Sequence, residues 1–461
     1  MDRTASGETK AGQGTNQRCM EPSCGSVYSL NARIYVCPRC GGPLEVETPL
    51  TMLDGAALRE QWRQRASSWK PIDRSGVWRF RELLPGDVSA GVVTLFEGNT
   101  PLCEAPLCAE YCGLRELRLK NQGSNPTGSF KDTGMTVAVT HAVRLGAAAA
   151  VCASTGNTAA SLAAYCARAR LRCAILVPHG QIASAKLAQS MDYGALLCEL
   201  EGNFDDCMRV VQEIGDDPSL YIANSINPFR IEGQKTVAYE LLEQSEGQVP
   251  DHVVVPGGNL GNSSALGKGF RELLSLGLID HLPRLHVIQA QGAAPFVRVF
   301  TECKKRGSSR AQLLPEAMIP ESRPQTLATA IRIGAPLSWR KSLRAVLESG
   351  GEVIAVTEKE IADAKAMIGR DGIGCEPASA TTVAGIRKLT AAGRIQRDEA
   401  VVAVLTGHLL KDPEYVANYH RGTLALPGGS AQKIEGAFPN PPERVAATKS
   451  AFLELLKRHR P

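Results

Sequence analysis

From about residue 93 onward, short apolar runs alternate with helical periods of roughly ten to fifteen residues, and that rhythm leaves few folds open. "AAAAVCAS" leads into "TGNTAASLAAYCARA", "RCAILVP" into "SAKLAQSMDYGA" and "LLCELEG" into "DDCMRVVQEIGD". "SLYIANS", "GQKTVAYELLEQ", "DHVVVPGG", "NSSALGKGFRELLSLG" and "RLHVIQA" continue the series. Strands separated in this way cannot pair as hairpins, because each return takes a crossover helix, so the expected architecture is α/β with parallel sheets. Ligands of such sheets collect at the carboxyl ends of the strands. A polar, Trp-bearing connector over about residues 50–90 precedes the rhythm, and a last helix in "PPERVAATKSAFLELLKRH" is expected to pack against the body. At 461 residues, 43% of them hydrophobic, the chain is long enough for two or more domains.

Charge and composition remove several classes of function. A net charge of +5 is small for this length and no run of five or six like charges occurs, which argues against nucleic acid or an acidic membrane surface as partner. A small anionic substrate fits the charge. No apolar stretch reaches the length of a membrane span. "MDRTASGETKAGQGTNQR" is polar and Gly/Thr-rich, so residues 1–17 are expected to be a flexible tail and not a signal peptide. Of the 14 cysteines, ten are scattered through apolar segments, as at Cys152, Cys166 and Cys173, without the spacing of a secreted scaffold; a reducing cytoplasm is the expected compartment. The other four, Cys19, Cys24, Cys37 and Cys40, form two close pairs joined by "VYSLNARIYV". Two such thiolate pairs can close a tetrahedron around a structural zinc ion, with no position left open for catalysis. The first pair is wider than the usual two-residue knuckle, whereas C-P-R-C-G-G fits one well.

Four segments carry polar groups at strand ends or loop-to-helix junctions. "NPTGSFKDTG" sets Lys131 where a Pro- and Gly-bearing loop enters a helix. "VVVPGGNLGNSSALGKGF" runs from strand to helix through Gly257–Asn262, so that backbone N–H groups and a helix N-terminus converge as in a phosphate cradle, although a tight turn without ligand has the same outline. It is not a Walker loop, since Gly261 and Gly267 enclose five residues and Lys268 is followed by glycine. It is not a dinucleotide fingerprint either, because "RLHVIQAQG" ends in glutamines where an acidic residue is required. "ASTGNTAAS" makes the same transition from Ser154 to Thr158, and "VVAVLTGHLLKDP" ends a strand at Thr406. A cofactor with one phosphate, one ring and one aldehyde would use all four.

Together "EGNTPL", "NPTGSFKDTG", "STGNTAAS", "NSINPFRIEGQKT", "PGGNLGN", "PASA" and "LTGHLLKDP" closely resemble the threonine synthases, a family of tryptophan-synthase-like, fold-type II pyridoxal-phosphate enzymes. The resemblance runs from about residue 95 to about 413, and a Cys ribbon also occurs in members of that family. It implies a two-domain enzyme: a zinc-ribbon-like segment over 18–48, a large cofactor-binding domain from 49–133 and 250–461, and a small α/β domain over 134–249. It also implies a homodimer.

By similarity, Lys131 would hold pyridoxal phosphate as a Schiff base, which a buried amine that loses its charge easily would favour. Asn157 would bond the phenolic oxygen of the cofactor. Gly257, Gly258, Asn259, Leu260, Gly261 and Asn262 would bind its phosphate mainly through backbone N–H groups. Thr406 would face the pyridine nitrogen, and a hydroxyl there would leave that nitrogen largely unprotonated. Ser154, Thr158, Asn224, Ser225, Arg230 and Asn259 would grip the phosphate of the substrate, with Arg230 supplying a fork of donors. Glu232 and Lys235 are expected to pair along their helix and lie outside the site.

The implied activity is that of a carbon–oxygen lyase of threonine biosynthesis, converting O-phospho-L-homoserine and water to L-threonine and phosphate. One departure stands out: Leu409 follows Gly-His where glycine is expected, and could reshape the substrate side of the pocket and leave His408 without a role. Two alternatives keep separate signatures. A cysteate-synthase-like relative acting on O-phospho-L-serine would keep Lys131, the phosphate loop and Arg230. A zinc-ribbon binding protein with an inactive α/β body would have lost the cofactor residues.

Overall fold

The structure, a computed structural model, describes residues 14–180, 185–307, 318–426 and 433–458, apart from the side chains of residues 185, 186 and 205. The chain begins in a small antiparallel ribbon, β1 (Asn16–Cys19), β2 (Val27–Ser29) and β3 (Leu44–Glu47), in the order β2-β1-β3. The tail expected to reach residue 17 therefore ends earlier. Gln17 is fully buried in the central strand, and its amide donates to the carbonyls of Ser29 and Ala32, so a polar side chain closes the hairpin.

The connector that polarity marked out carries part of the core. Asp54 caps the helix Gly55–Ala66 by accepting from Ala57 N–H, and Leu58 and Trp62, four residues apart, turn to one buried face. Trp62 stacks on Tyr239 at 5.7 Å between ring centroids, and Phe80 meets both rings edge-on. β4 (Leu102–Glu104) and β5 (Arg118–Asn121) then enter the larger sheet as an antiparallel pair.

After β5 the chain leaves through Lys131 and builds a second sheet from β6 (Ala149–Ala153), β7 (Arg172–Pro178), β8 (Leu196–Leu200) and β9 (Leu220–Ile222), all parallel in the order β8-β7-β6-β9. It returns with β10 (His252–Pro256), β11 (Arg284–Ala290), β12 (Val353–Val356) and β13 (Val401–Leu405). These complete a six-stranded sheet, β12-β11-β10-β13-β5-β4, parallel except at the β4 edge. The interior strands β10 and β13 are buried at every position, as strands covered by helices on both faces must be. The excursion from one sheet to the other brings the carboxyl ends of strands from both to a common place.

The last helix departs from expectation. Only Lys449–Arg458 is helical, none of its described residues is buried, and Phe452, Leu453 and Leu456 are about half exposed. The preceding stretch contains Pro439, Pro441 and Pro442, which lack N–H donors; it is exposed and without regular structure, and it keeps the helix off the body.

The ribbon rests on both sheets. Toward the larger one, Lys268 and Lys341 donate to the carbonyls of Val46 and Leu44, while Arg344 meets both carboxylate oxygens of Glu45 at 2.8 Å. Toward the smaller one, Tyr35 Oη accepts from Ile222 N–H at 2.7 Å, and His141 Nε2–H donates to Leu30 O at 3.1 Å while its Nδ1 accepts from Tyr221. Burial holds His141 down to about 4, so the ring is neutral and this pattern of donors is stable at ordinary pH.

Burial alone would raise the Glu45 carboxyl, but Arg344, followed by Arg271, Lys268 and Lys341, holds it well below the carboxylate range. A depressed carboxyl contributes stability above its unfolded value of about 4.3 and loses it as pH falls toward the folded value. Glu45→Gln should therefore lower the urea-unfolding free energy at pH 7 by about 3 kcal/mol, the cost of stranding buried cations. The deficit relative to wild type should shrink below pH ~4. A deficit independent of pH would remove the ion-pair account.

Candidate active site

Lys131 opens the helix Lys131–Arg144 at the end of a loop stitched to the neighbouring strand end. Phe130 N–H donates to Thr406 O and His408 N–H to Gly128 O, both at 2.9 Å, and Ser129 and Gly407 form an isolated antiparallel bridge between them. Gly128, at φ +79°, makes the bend that this pairing requires. Behind the lysine, Asp132 accepts from Thr127 N–H, Thr127 Oγ1 and Ser161 Oγ at 2.6–2.7 Å, which pins the loop to the helix Asn157–Ala169. The Lys131 amine is brought down to about 7, first by burial and then by Arg230, with Glu376 acting in the opposite sense. Its Nζ lies 4.2 Å from the centre of the Phe130 ring.

A cavity of about 1400 Å³ opens in front of this amine. Every residue assigned to cofactor or substrate from the sequence lines it except Gly257. Ser154, Asn157 and Thr158 follow β6; Asn224, Ser225 and Arg230 follow β9; Gly258–Asn262 follow β10; Thr406 follows β13. Gly257 serves the sheet instead: its N–H donates to Ile288 O at 2.7 Å, and a Cβ there would lie 2.8 Å from Val287 and Gln289 side-chain atoms.

The next residues have the form of an anion cradle. Leu260 takes a left-handed conformation at φ +66°, an uncommon state for leucine, and turns the chain into the helix Gly261–Ser275. The N–H groups of Gly261, Asn262 and Ser263 have no partner within that helix, as at any helix start, and the helix dipole favours an anion there. Asn262 Nδ2 is buried without a hydrogen-bond partner, which adds a donor.

A second anion-seeking group lies on the same cavity. Arg230 is only 2% exposed, its Nε has no hydrogen-bond partner, and one Nη donates to Ala223 O at 3.2 Å. Burial lowers its guanidinium to about 10, and among the described residues no carboxylate forms an ion pair with it. Asn224, by contrast, bonds Ala153 through both ends of its amide, donating to the carbonyl and accepting from the N–H at 3.0 Å. It ties the β6 turn to the β9 turn and has little left for a ligand. Glu232 and Lys235 pair at 2.7 Å away from the site, joined by Glu272. Leu409 is not part of the cavity wall; it packs against Gly374, where a Cβ would lie 2.7 Å from its own. His408 Nδ1 accepts from Leu410 N–H at 3.1 Å and so caps a turn.

Sequence reasoning missed Glu376. It is buried, lines the cavity and accepts from Asn157 Nδ2 at 2.9 Å and Thr406 Oγ1 at 3.2 Å. The available signal was an acid directly before "PASA", the residue ahead of a proline that starts a helix.

At the other end of the ribbon the four cysteine sulfurs all lie within 4.8 Å of one another, with Cys19–Cys40 at 3.4 Å and Cys24–Cys37 at 3.7 Å. A zinc–thiolate tetrahedron with bonds of about 2.3 Å spaces its sulfurs about 3.8 Å apart, so the donor set fits. The wider first loop folds back on itself, Cys24 and Gly25 N–H both donating to Glu21 O, and this returns Cys24 to the cluster.

A family model described as pyridoxal-phosphate dependent enzyme matches residues 93–407. The chain belongs to this family. Its relatives include the threonine synthase of Methanocaldococcus jannaschii, 46% identical over 399 residues (86% of this chain, 93% of that one), and that of Methanosarcina acetivorans, 44% identical over 400 residues (87% and 93%). The threonine synthase of Mycobacterium leprae is 45% identical over 337 residues (73% and 88%). Among solved structures, a processed threonine deaminase isoform 2 from Solanum lycopersicum superposes with a TM-score of 0.58 at 17% identity, covering 79% of this chain and 93% of its own; the likeness is one of fold. As a pyridoxal-phosphate enzyme, the chain has in Lys131 an amine with the right burial, and in Gly258–Asn262 a cradle suited to the cofactor phosphate.

The lysine gives a direct test. In ligand-free protein, the rate at which an amine-selective reagent labels Lys131 should rise through pH ~7 and level off, because the neutral amine is the reactive form. Peptide mapping of the label across pH 5–11 reads it. A midpoint near the ordinary lysine value of about 10.4 would contradict the burial argument.

Proposed function

We propose that the chain converts O-phospho-L-homoserine and water to L-threonine and inorganic phosphate. The observation that carries this reading is Arg230: a buried guanidinium without a carboxylate partner, on the same cavity as the amine of Lys131 and separate from the helix start at Gly261. One anion cradle suffices for a phosphorylated cofactor. A second positive group, in a site that excludes water, asks for a second anion.

Pyridoxal phosphate, when bound, supplies an electron sink for negative charge at the amino-acid carbons. Lys131 would carry it, and Asn157, Gly258–Asn262 and Thr406 would hold its polar edges. The Lys131 amine, neutral near pH 7 because of its burial, is suited to take the proton from the substrate Cα and to move protons at Cβ. Arg230, with Ser154, Thr158, Ser225 and Asn259, would hold the substrate phosphate and stabilise it as it leaves Cγ. Asn224 acts one step back, fixing the backbone on which Ser154 sits. In the same reading, segments 49–133 and 250–461 form the cofactor domain and 134–249 the smaller one, with zinc closing the Cys19, Cys24, Cys37 and Cys40 cluster.

Purified protein supplied with pyridoxal phosphate should release phosphate and form threonine at equal rates from O-phosphohomoserine and neither from O-phosphoserine. Turnover of O-phosphoserine alone would move the chain to a different replacement reaction. Arg230→Ala should lower kcat/KM by about ten- to a hundredfold, the value of one or two hydrogen bonds to a charged group, while leaving cofactor binding in place. Elemental analysis should find about one zinc per chain, and Cys37→Ser should abolish it; metal-free wild type would refute the ribbon assignment.

A further inference from the structure

One carboxylate reaches residues assigned to two different edges of the cofactor. Glu376, 1% exposed, accepts from Asn157 Nδ2 at 2.9 Å through Oε2 and from Thr406 Oγ1 at 3.2 Å through Oε1. Asn157 begins a helix of the four-stranded sheet, and Thr406 follows β13 of the six-stranded sheet, so this side chain bridges the two across the cavity. It is fixed from behind. Its own N–H donates to Gly407 O at 2.9 Å, and a Cβ on Gly407 would lie 2.3 Å from its Cδ.

The direction of the hydroxyl hydrogens follows from counting donors and acceptors. Ser379 Oγ accepts from Thr406 N–H at 2.8 Å and from Gly407 N–H at 3.2 Å, which occupies both of its lone pairs. Its own hydrogen therefore turns to Thr406 Oγ1, 3.0 Å away. Thr406 in turn gives its hydrogen to the carboxylate of Glu376, an acceptor only. What Thr406 can still offer a ligand is a lone pair. An isolated threonine hydroxyl rotates to donate or accept; this one can only accept.

We propose that Glu376 is a positioning residue that fixes Thr406 as an acceptor and Asn157 as a donor toward the cofactor ring, so that the ring nitrogen is bound in its protonated form. The inference rests on the reading in which Thr406 faces that nitrogen, and it reverses the expectation drawn from a threonine considered alone. Glu376 also supplies a negative charge that opposes the effect of Arg230 on Lys131.

The test uses the full chain loaded with pyridoxal phosphate carrying ¹⁵N in the ring, whose chemical shift reports protonation of that nitrogen. Borohydride reduction and peptide mapping come first: cofactor fixed elsewhere than Lys131 defeats the reading of the site, independently of Glu376. With Lys131 labelled, the wild-type nitrogen should resonate in the protonated range. Glu376→Gln should move it toward the unprotonated range and weaken cofactor binding by about ten- to a hundredfold. A variant that loses thermal stability while its ¹⁵N shift stays at the wild-type value would assign Glu376 a purely structural role and overturn the proposal. An unprotonated nitrogen in wild type overturns it without any variant, so the outcome does not depend on Glu376→Gln folding.

Discussion

The backbone pairing of Gly128–Phe130 with Thr406–His408 is the constraint on which the site depends. A lysine side chain is long and flexible, and burying its amine costs free energy unless the chain on which it sits is held rigidly. Here two hydrogen bonds and an isolated bridge fix the loop before Lys131 to the end of an interior strand, and the Asp132 contacts fix the residue after it. The amine, the group opposite it on β13 and the cradle after the adjacent β10 thus hang from one rigid sheet. Arg230 and Asn157 come from elements of the other sheet, which is why the cavity lies between the two.

Much of this was legible in the sequence because parallel strands buried on both faces are short, apolar and spaced by helices, and their carboxyl ends mark where ligands can gather. "RLHVIQA" and "RCAILVP" coincide with β11 and β7 end to end. What remained hidden were choices made by tertiary hydrogen bonds. Gly257 and Gly258 are indistinguishable in a string, yet one donates its N–H to Ile288 and the other lines the cavity. Asn224 has the chemistry of a phosphate ligand and spends it on Ala153. Glu376 could be found only from its partners, since they stand 219 residues before it and 30 after it.

Local composition misled at both ends for a related reason. A polar, tryptophan-bearing connector is read as a linker because charged residues outnumber apolar ones, but Leu58 and Trp62 at helical spacing are enough to anchor it. The C-terminal helix has apolar residues in plenty, and a proline-rich approach that keeps them from the core. How the flanking chain delivers an element matters as much as its own pattern.

The ribbon contacts have a bearing on how the molecule can be divided. Leu44 and Val46 lend their carbonyls to two buried lysines of the larger body, while Leu30 and Tyr35 close contacts with the smaller one. Lys341, brought down to about 8 by burial, owes what charge it keeps first to Glu45 of that same ribbon. A fragment starting after residue 48 would thus present solvent with a seam where the intact protein has an interior, so the catalytic portion has no natural boundary at the point where the family pattern begins.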